Sequence, residues 1–179
     1  MSEISCPKPV KLIIGILSGI KILLKDIEVL LESHLGKIDL KSEIFTFDFT
    51  DYYKREMGLN ILRKFLCFKK LIDPEEIPSI KIWTNKLEDE FKKDGKFNVI
   101  RPINLDPGYL TQSKLILAST KDYYHRIHLQ GGIYAEVTLF YQNGKFENLP
   151  WTYPDYQTEK YKNFFLKARE LYAKDIGTN

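Results

Sequence analysis

Cysteine is nearly absent. Cys6 and Cys67 are the only two in 179 residues, far apart and in no CxxC pair. Lone thiols of this kind read as reduced, structural side chains of a cytoplasmic protein. Charge of one sign is equally scarce. The formal net charge is +3, with 27 Lys and Arg against 24 Asp and Glu interleaved along the chain. That lacks the clustered basic excess of a nucleic-acid-binding domain or a segment held on an anionic membrane. Long apolar runs are missing too: the stretch from Val10 to Leu24 is broken by Lys11, Ser18, Gly19 and Lys21. It has neither an unbroken span of about twenty apolar residues nor a small-residue cleavage site, so it reads as a strand and a helix of a cytoplasmic chain without a membrane partner. Signature loops are absent as well. No GxxxxGK[ST] occurs, which argues against a P-loop nucleotide as cofactor, and GxGxxG after the first strand, GxSxG and HExxH are all lacking. Thr84 to Glu88 is superficially like a guanine-reading NKxD, but it ends in Glu and falls within an expected helix.

Aromatics, by contrast, are plentiful, with eleven Tyr, eleven Phe and two Trp. They favour a strand-rich fold with large packing units. The length fits one domain with a proper core over residues 1–179, with 1–9 expected as a disordered stretch. Val10 to Leu17 reads as a buried strand ended by Ser18-Gly19. A helix follows through Asp26 to Leu31 with a stop at Gly36. Glu43 to Phe49 alternates as a strand with Phe45, Phe47 and Phe49 on one face, and a further strand is expected around Lys64 to Lys70. Pro74 suits the first turn of a helix running through Ile80 to Phe91 and closed by Asp94-Gly95. Phe97 to Leu105 returns as a strand. Strand, helix, strand, strand, helix, strand is the ferredoxin-like βαββαβ arrangement of an α+β protein. Residues 104–179 then form a C-terminal elaboration: a helical or irregular piece (Leu110 to Ala118), an antiparallel meander and a final helix packed on the sheet. That helix spans about Gln157 to Lys174 with Tyr161, Phe164, Phe165, Ala168, Leu171 and Tyr172 as its inward stripe.

Two turn signals set the register of the meander. Gly131-Gly132 and Asn143-Gly144 are both favoured in two-residue hairpins. If Gln130 pairs with Ile133, Ile127 lies opposite Glu136 and His125 opposite Thr138; a four-residue loop puts His125 opposite Glu136. Either way His125, Glu136 and Thr138 share a face with Tyr134, Phe140, Leu149 and Trp151, while Arg126 and His128 lie on the other. A carboxylate and an imidazole among aromatics are candidates for acid/base work. A solvated cross-strand pair accounts for the same register, although Trp151 has little reason to lie on a plain wet face.

Asp106 follows an expected strand and precedes Pro107-Gly108. A type II turn explains all three residues, and a divalent metal ligand or base at a strand end is the functional alternative. His125 and His128 form an HxxH whose rings point to opposite faces of a strand, which argues against joint ligation unless Lys121 to Leu129 is helical. Lys114, Lys121 and Arg126 bring positive charge near Asp106 for an anionic ligand. Asp48, Asp51, Lys54, Arg55 and Glu56 lie among Tyr52 and Tyr53 in a polar cluster. There Asp51 caps a short helix ended by Gly58, or the tyrosines rim a ligand cleft.

The blocks FTDYYKREMG (Phe49 to Gly58), NLDPGYL (Asn104 to Leu110), LASTKDYYHRIHL, GIYAEVTL and WTYPDY (Trp151 to Tyr156) together resemble the domain of unknown function 4416 family, an uncharacterised prokaryotic one. The resemblance extends from about Lys11 to Tyr172. It implies a compact single-domain protein and brings no activity, cofactor or catalytic residue.

Two function classes follow. The first is a protein binding a small anionic or nucleotide-like ligand, or a hydrolase, with its site near Asp106, His125 and Glu136. There His125 or Glu136 serves as acid/base, Lys121 and Arg126 as anion contacts, and Tyr134, Thr138 and Trp151 as ligand-facing groups. The second is a non-catalytic module that binds RNA or a protein through its sheet, with Phe45, Phe47 and Phe49 as the platform. Enzymatic status and oligomeric state stay open at this level.

Overall fold

The computed structural model describes residues 3–177. Residues 1 and 2 of the N-terminal stretch expected to be disordered lie outside the described residues, and 3–9 carry no regular secondary structure. Nine strands form one antiparallel sheet: β1 (Val10–Ser18), β2 (Ile38–Lys41), β3 (Phe45–Thr46), β4 (Leu62–Ile72), β5 (Asn104–Leu110), β6 (Lys114–Ser119), β7 (Ile127–Gln130), β8 (Ile133–Gln142) and β9 (Lys145–Asn148). Their spatial order is β2-β4-β1-β5-β6-β8-β7, with β3 paired to β4 and β9 to β8. Four α-helices accompany them: α1 (Lys21–Leu35), α2 (Lys54–Met57), α3 (Ile77–Asp94) and α4 (Glu159–Asp175). The protein is therefore α+β.

Every residue of β1 is buried because the strand is central and covered on both faces. On one side its alternate residues pack under α1 and α3, through Leu23, Leu24, Ile27 and Leu31 of α1 and Ile77, Ile80 and Leu87 of α3. On the other, Ile13, Phe65, Cys67 and Leu115 meet α4 through Tyr161, Phe164, Phe165, Ala168 and Tyr172. Each such fully buried aliphatic or phenyl side chain stabilises by roughly 1.5–3 kcal/mol. Lys11 is fully buried within β1, its ammonium paired with Asp39 and, at 2.9 Å, with Asp175 at the end of α4. Both helix stops expected at glycine are present, Gly36 at φ 96° and Gly95 at φ 65°.

Several elements depart from the sequence reading. The strand expected over Glu43 to Phe49 shrinks to Phe45–Thr46, and most of the pairing in that region is made by β2, four residues earlier. Of the three phenylalanines expected to share a face, Phe45 and Phe47 are 7% and 5% exposed and packed into the core, while Phe49 is 37% exposed. Leu110 to Ala118 is largely strand. Its Leu115-Ile116-Leu117-Ala118 run is buried on both faces, which removes the alternation that would have marked it. Residues 97–103 are irregular, and the strand begins only at Asn104. Asp106-Pro107-Gly108 is not a turn: it lies inside β5, paired with Gly15, Ile14 and Ile13 of β1. Gly108 is there for space, since a Cβ on it would sit 2.1 Å from the Ile116 carbonyl oxygen of β6. Gly108 thus serves a tight strand junction, where Gly marks close backbone approach.

Candidate functional site

Beyond the N-terminal end of α4, three charged side chains emerge on the α4 face of the sheet. Arg63 alternates with Phe65 and Cys67 of β4, Asp106 with Gly108 and Leu110 of β5, and Glu136 lies opposite Leu117 of β6. A bulge gives β8 an extra residue at Thr138, between the pairs Leu115↔Leu139 and Ile116↔Val137. It lets Glu136 and Leu139 both turn toward that side, which strict alternation forbids.

Arg63 is 4% exposed and donates to Asp106 at 2.7 Å and Asp155 at 3.1 Å. Its guanidinium also lies over Phe47, Phe65 and Tyr156, 5.4–5.7 Å from their ring centres. To reach β5 from β4 it must cross β1, and it does so over Gly15, where a Cβ would sit 2.9 Å from its Nη1. Burial pushes the Asp106 carboxyl up, but the Arg63 and Lys81 charges outweigh it and hold the group below its usual range. Burial wins at Asp155, which is raised despite Arg63 and further by Asp106. Asp106 keeps 27% of its side chain exposed, against 5% for Asp155, so Asp106 is the member of this pair that faces solvent.

Glu136 is the second centre. Its side chain is 1% exposed and accepts from Arg126 Nε at 2.7 Å, His125 Nε2 at 3.2 Å and the Thr138 hydroxyl at 3.2 Å. Arg126 donates further to Ser119 Oγ, to the Lys121 carbonyl and to the Tyr153 hydroxyl, and lies over the Tyr123 ring at 5.0 Å. The His125 ring stacks on Trp151 at 5.0 Å and 11°, while Tyr124 meets it edge-on at 5.0 Å. Trp151 is fixed by its own indole N–H, which donates to the Val137 carbonyl at 2.8 Å. With a carboxylate as acceptor, Nε2 is the protonated nitrogen, and Nδ1 is left as the acceptor of the ring. That Nδ1 is buried and has no hydrogen-bond partner among the described residues.

Tyr53 and Tyr153 link the two centres. Burial pushes both phenols up, Tyr153 to about 12, and the charges of Asp106 at both and Glu136 at Tyr153 add to the shift. Arg101 lies over the Tyr53 ring at 5.9 Å and is itself paired with Glu88 at 2.6 Å and with Asn104. Lys121 lies 5.0 Å from the centre of the Tyr52 ring.

His125, Glu136, Trp151, Arg126 and Lys121 are thus brought together, with Asp106 joined to them through the tyrosines. Arg126 is on the same side as Glu136, not the opposite face as alternation predicted, because Lys121 to Arg126 is a loop and β7 begins only at Ile127. Ile127 accordingly pairs with Ala135 rather than Glu136, after a bulge between His128 and Gln130. Thr138 is fully buried beneath Glu136, and Tyr134 packs against the His128 ring at 5.2 Å. Lys114 starts β6, at the end of the β5–β6 hairpin away from Asp106. Asp106 is engaged by Arg63, and among the described residues no three His, Cys, Asp or Glu side chains converge to hold a metal ion. Around Tyr52 and Tyr53, α2 ends at Gly58 as expected, but Asp51 pairs with Lys54 instead of capping the helix with its side chain. Two open clefts, of about 560 Å³ beside His34 and Trp83 and about 380 Å³ beside Tyr109 and Tyr172, lie elsewhere and include none of these residues. Volume and chemistry disagree here, and the chemistry is what converges. Arg63, Arg101, Tyr153 and Asp155 were missed from the sequence. The one legible signal was an arginine two positions before Phe65, on the apolar face of a strand.

The family model described as a domain of unknown function (DUF4416) matches residues 8–172. The chain belongs to this family. Comparison with curated proteins and with solved structures gave no match. Membership in the family therefore fixes kinship over nearly the whole chain without assigning a reaction, and the site stands on its geometry. No helix among the described residues is long and apolar enough to cross a membrane.

Proposed function

We propose that this member of the family binds a small anionic or nucleotide-like ligand at the mouth formed by Asp106, Arg126, His125 and Trp151, as a binding protein or a hydrolase. The observation that carries the reading is His125. Its ring is fixed by Glu136 on one nitrogen and Trp151 on one face, yet Nδ1 lacks a partner. An unsatisfied buried acceptor costs about 1–3 kcal/mol, so a ligand donor that meets it restores that loss. The Tyr124 ring, edge-on to both His125 and Trp151, is 87% exposed and borders this histidine on the solvent side. In a hydrolase His125 is the general base, with Glu136 fixing its tautomer.

The test is a thermal-shift panel of small phosphorylated and carboxylated metabolites on the wild type, His125→Gln and Glu136→Gln. A ligand at about a hundred times its Kd adds about 2.7 kcal/mol and raises Tm by about 5–10 °C in a chain of this size. The reading expects such a shift in the wild type and its loss in His125→Gln. A panel in which every responding ligand shifts His125→Gln as much as the wild type refutes it.

Two finer points belong to the same proposal. The segment β1-α1-β2-β4-α3-β5 is read as a ferredoxin-like arrangement, supported by the order β2-β4-β1-β5, antiparallel neighbours throughout and both helices on one face. A cytoplasmic setting is supported by two unpaired thiols.

A further inference from the structure

Contacts around the mouth run in a closed circuit. Lys121 lies over Tyr52, which packs edge-on against Tyr53 at 5.0 Å. Tyr53 packs on Phe47 at 5.9 Å and Tyr153 on Tyr156 at 6.3 Å, and the Arg63 guanidinium that is paired with Asp106 lies over both of those rings. The Tyr153 hydroxyl accepts from Arg126 Nη2, and Arg126 Nη1 donates at 2.8 Å to the Lys121 carbonyl, which closes the ring.

The members of this circuit differ in what they have left to offer. Arg126 is committed to Glu136, Ser119, Lys121 and Tyr153. Arg63, on the floor, is committed to Asp106 and Asp155. Lys121 has no carboxylate partner among the described residues. Its ammonium lies 3.5 Å from the Tyr52 hydroxyl and 5.0 Å from the centre of that ring. Asp106 is an ionised acceptor with 27% of its side chain still open. Tyr52 and Tyr153 are 61% and 41% exposed, and Tyr123 and Tyr124 stand beside them at 55% and 87%. Exposed rings in that number are unusual for a face that only needs to be wetted, and aromatic faces beside a cation suit planar bases.

We infer that the circuit recognises a nucleoside monophosphate, its ribose hydroxyls donating to Asp106, its phosphate meeting Lys121 and its base lying on the tyrosine rings. A carboxylate is an acceptor only, which suits a pair of vicinal hydroxyls. One free ammonium, in a chain with no glycine-rich phosphate loop, matches a single phosphate better than a chain of them. This inference rests on the proposed ligand site and names its substrate class.

The experiment is isothermal titration calorimetry of the full chain with AMP, GMP, CMP and UMP, with adenosine, ribose 5-phosphate and inorganic phosphate as partial ligands. Expected is a Kd below about 1 mM for at least one nucleotide, and at least about tenfold weaker binding of every partial ligand. Lys121→Ala, at an exposed position, should weaken the nucleotide about tenfold or more, and Asp106→Asn likewise where it folds. Lys114→Ala, an exposed lysine at the far end of β6, should leave it unchanged. The inference falls if no nucleotide binds, if phosphate alone binds as tightly, or if Lys121→Ala has no effect. If another ligand shows a His125-dependent thermal shift while all four nucleotides fail, the inference falls and the ligand-site reading stands. If nothing in either experiment binds, both fall.

Discussion

Replacing Arg63 by Met should cost the fold about 3–5 kcal/mol at pH 7, as breaking a buried ion pair from one side does. The structure says where that cost arises. Two charge-assisted hydrogen bonds are lost, to Asp106 at 2.7 Å and Asp155 at 3.1 Å. Asp106, 27% exposed, is partly rehydrated, whereas Asp155, 5% exposed, is left as a buried carboxylate without its cation. Most of the penalty therefore sits at Asp155 and must depend on pH. In the wild type the lowered Asp106 contributes stability that is present above its unfolded value of about 3.9 and is lost as pH falls through its folded value. Asp155 has the opposite sign: its folded value is raised, so its ionisation costs stability as pH rises through it. Without Arg63 that cost grows, and protonation relieves it. The difference between wild type and Arg63→Met should thus be largest near neutrality and shrink as pH falls toward about 4. Urea unfolding followed by far-ultraviolet circular dichroism at pH 7, 5.5 and 4.5 reads it directly, with Arg63→Met/Asp155→Asn as the companion. That double variant should regain at least about 1 kcal/mol at pH 7. A difference under about 1 kcal/mol at pH 7, or one that does not change with pH, refutes the claim that Arg63 holds two carboxylates in the fold.

The two close-approach glycines should separate by what a new methyl would strike. Gly108→Ala meets a backbone carbonyl that cannot yield and should cost about 3 kcal/mol or more, while Gly15→Ala meets side-chain atoms, Arg63 Nη1 and the Phe65 ring, which can shift by a few tenths of an ångström at some loss to the Arg63 ion pairs, and should cost about 1–2 kcal/mol; equal midpoints in urea would contradict this. Thiol titration should count one reactive cysteine in the native chain and two after denaturation, since Cys6 is exposed whereas burial in the core pushes the Cys67 thiol up. Two fast thiols in the native state would mean that the core between β4 and α4 opens.

What was legible in this sequence is what local pattern encodes. The stripe Tyr161, Phe164, Phe165, Ala168 and Tyr172 marks α4 because one face of that helix is buried and the other wet. Gly36 and Gly95 mark helix ends because the chain turns there through positive φ. The pairing Gln142↔Lys145 follows from Asn143-Gly144, with Asn143 itself at φ 51°. Where burial is two-sided the pattern vanishes, and β6 was missed for that reason. Asp106-Pro107-Gly108 misled in the other direction. Its residue types satisfy a turn, and only the closeness of β6 to Gly108 shows that a strand needs them more.

The site was half legible for a related reason. His125 and Glu136 are eleven positions apart around one hairpin, so the turn brings them near each other, while the loop before β7 and the Trp151 ring set their contact. Arg126 was placed on the wrong side because alternation was carried past the true start of β7, into a loop that turns the side chain back to Glu136. Arg63, Asp106 and Asp155 come from three separate parts of the chain, and their meeting depends on strand order: β4 and β5 flank β1, and Gly15 leaves the gap between them. No periodicity carries that information. A charged residue in phase with a buried strand face is nonetheless a signal, since its burial is costly unless a partner waits, and that partner must come from elsewhere in the chain. Arg63, Glu136 and Lys11 all obey this rule here, and two of the three lie at the candidate site. The third ties β1 to the last residue of α4. The rule thus locates buried ion pairs by their enclosed cations, and at both ends of the sheet one carboxylate partner keeps an open side, Asp106 at 27% and Asp175 at 31%.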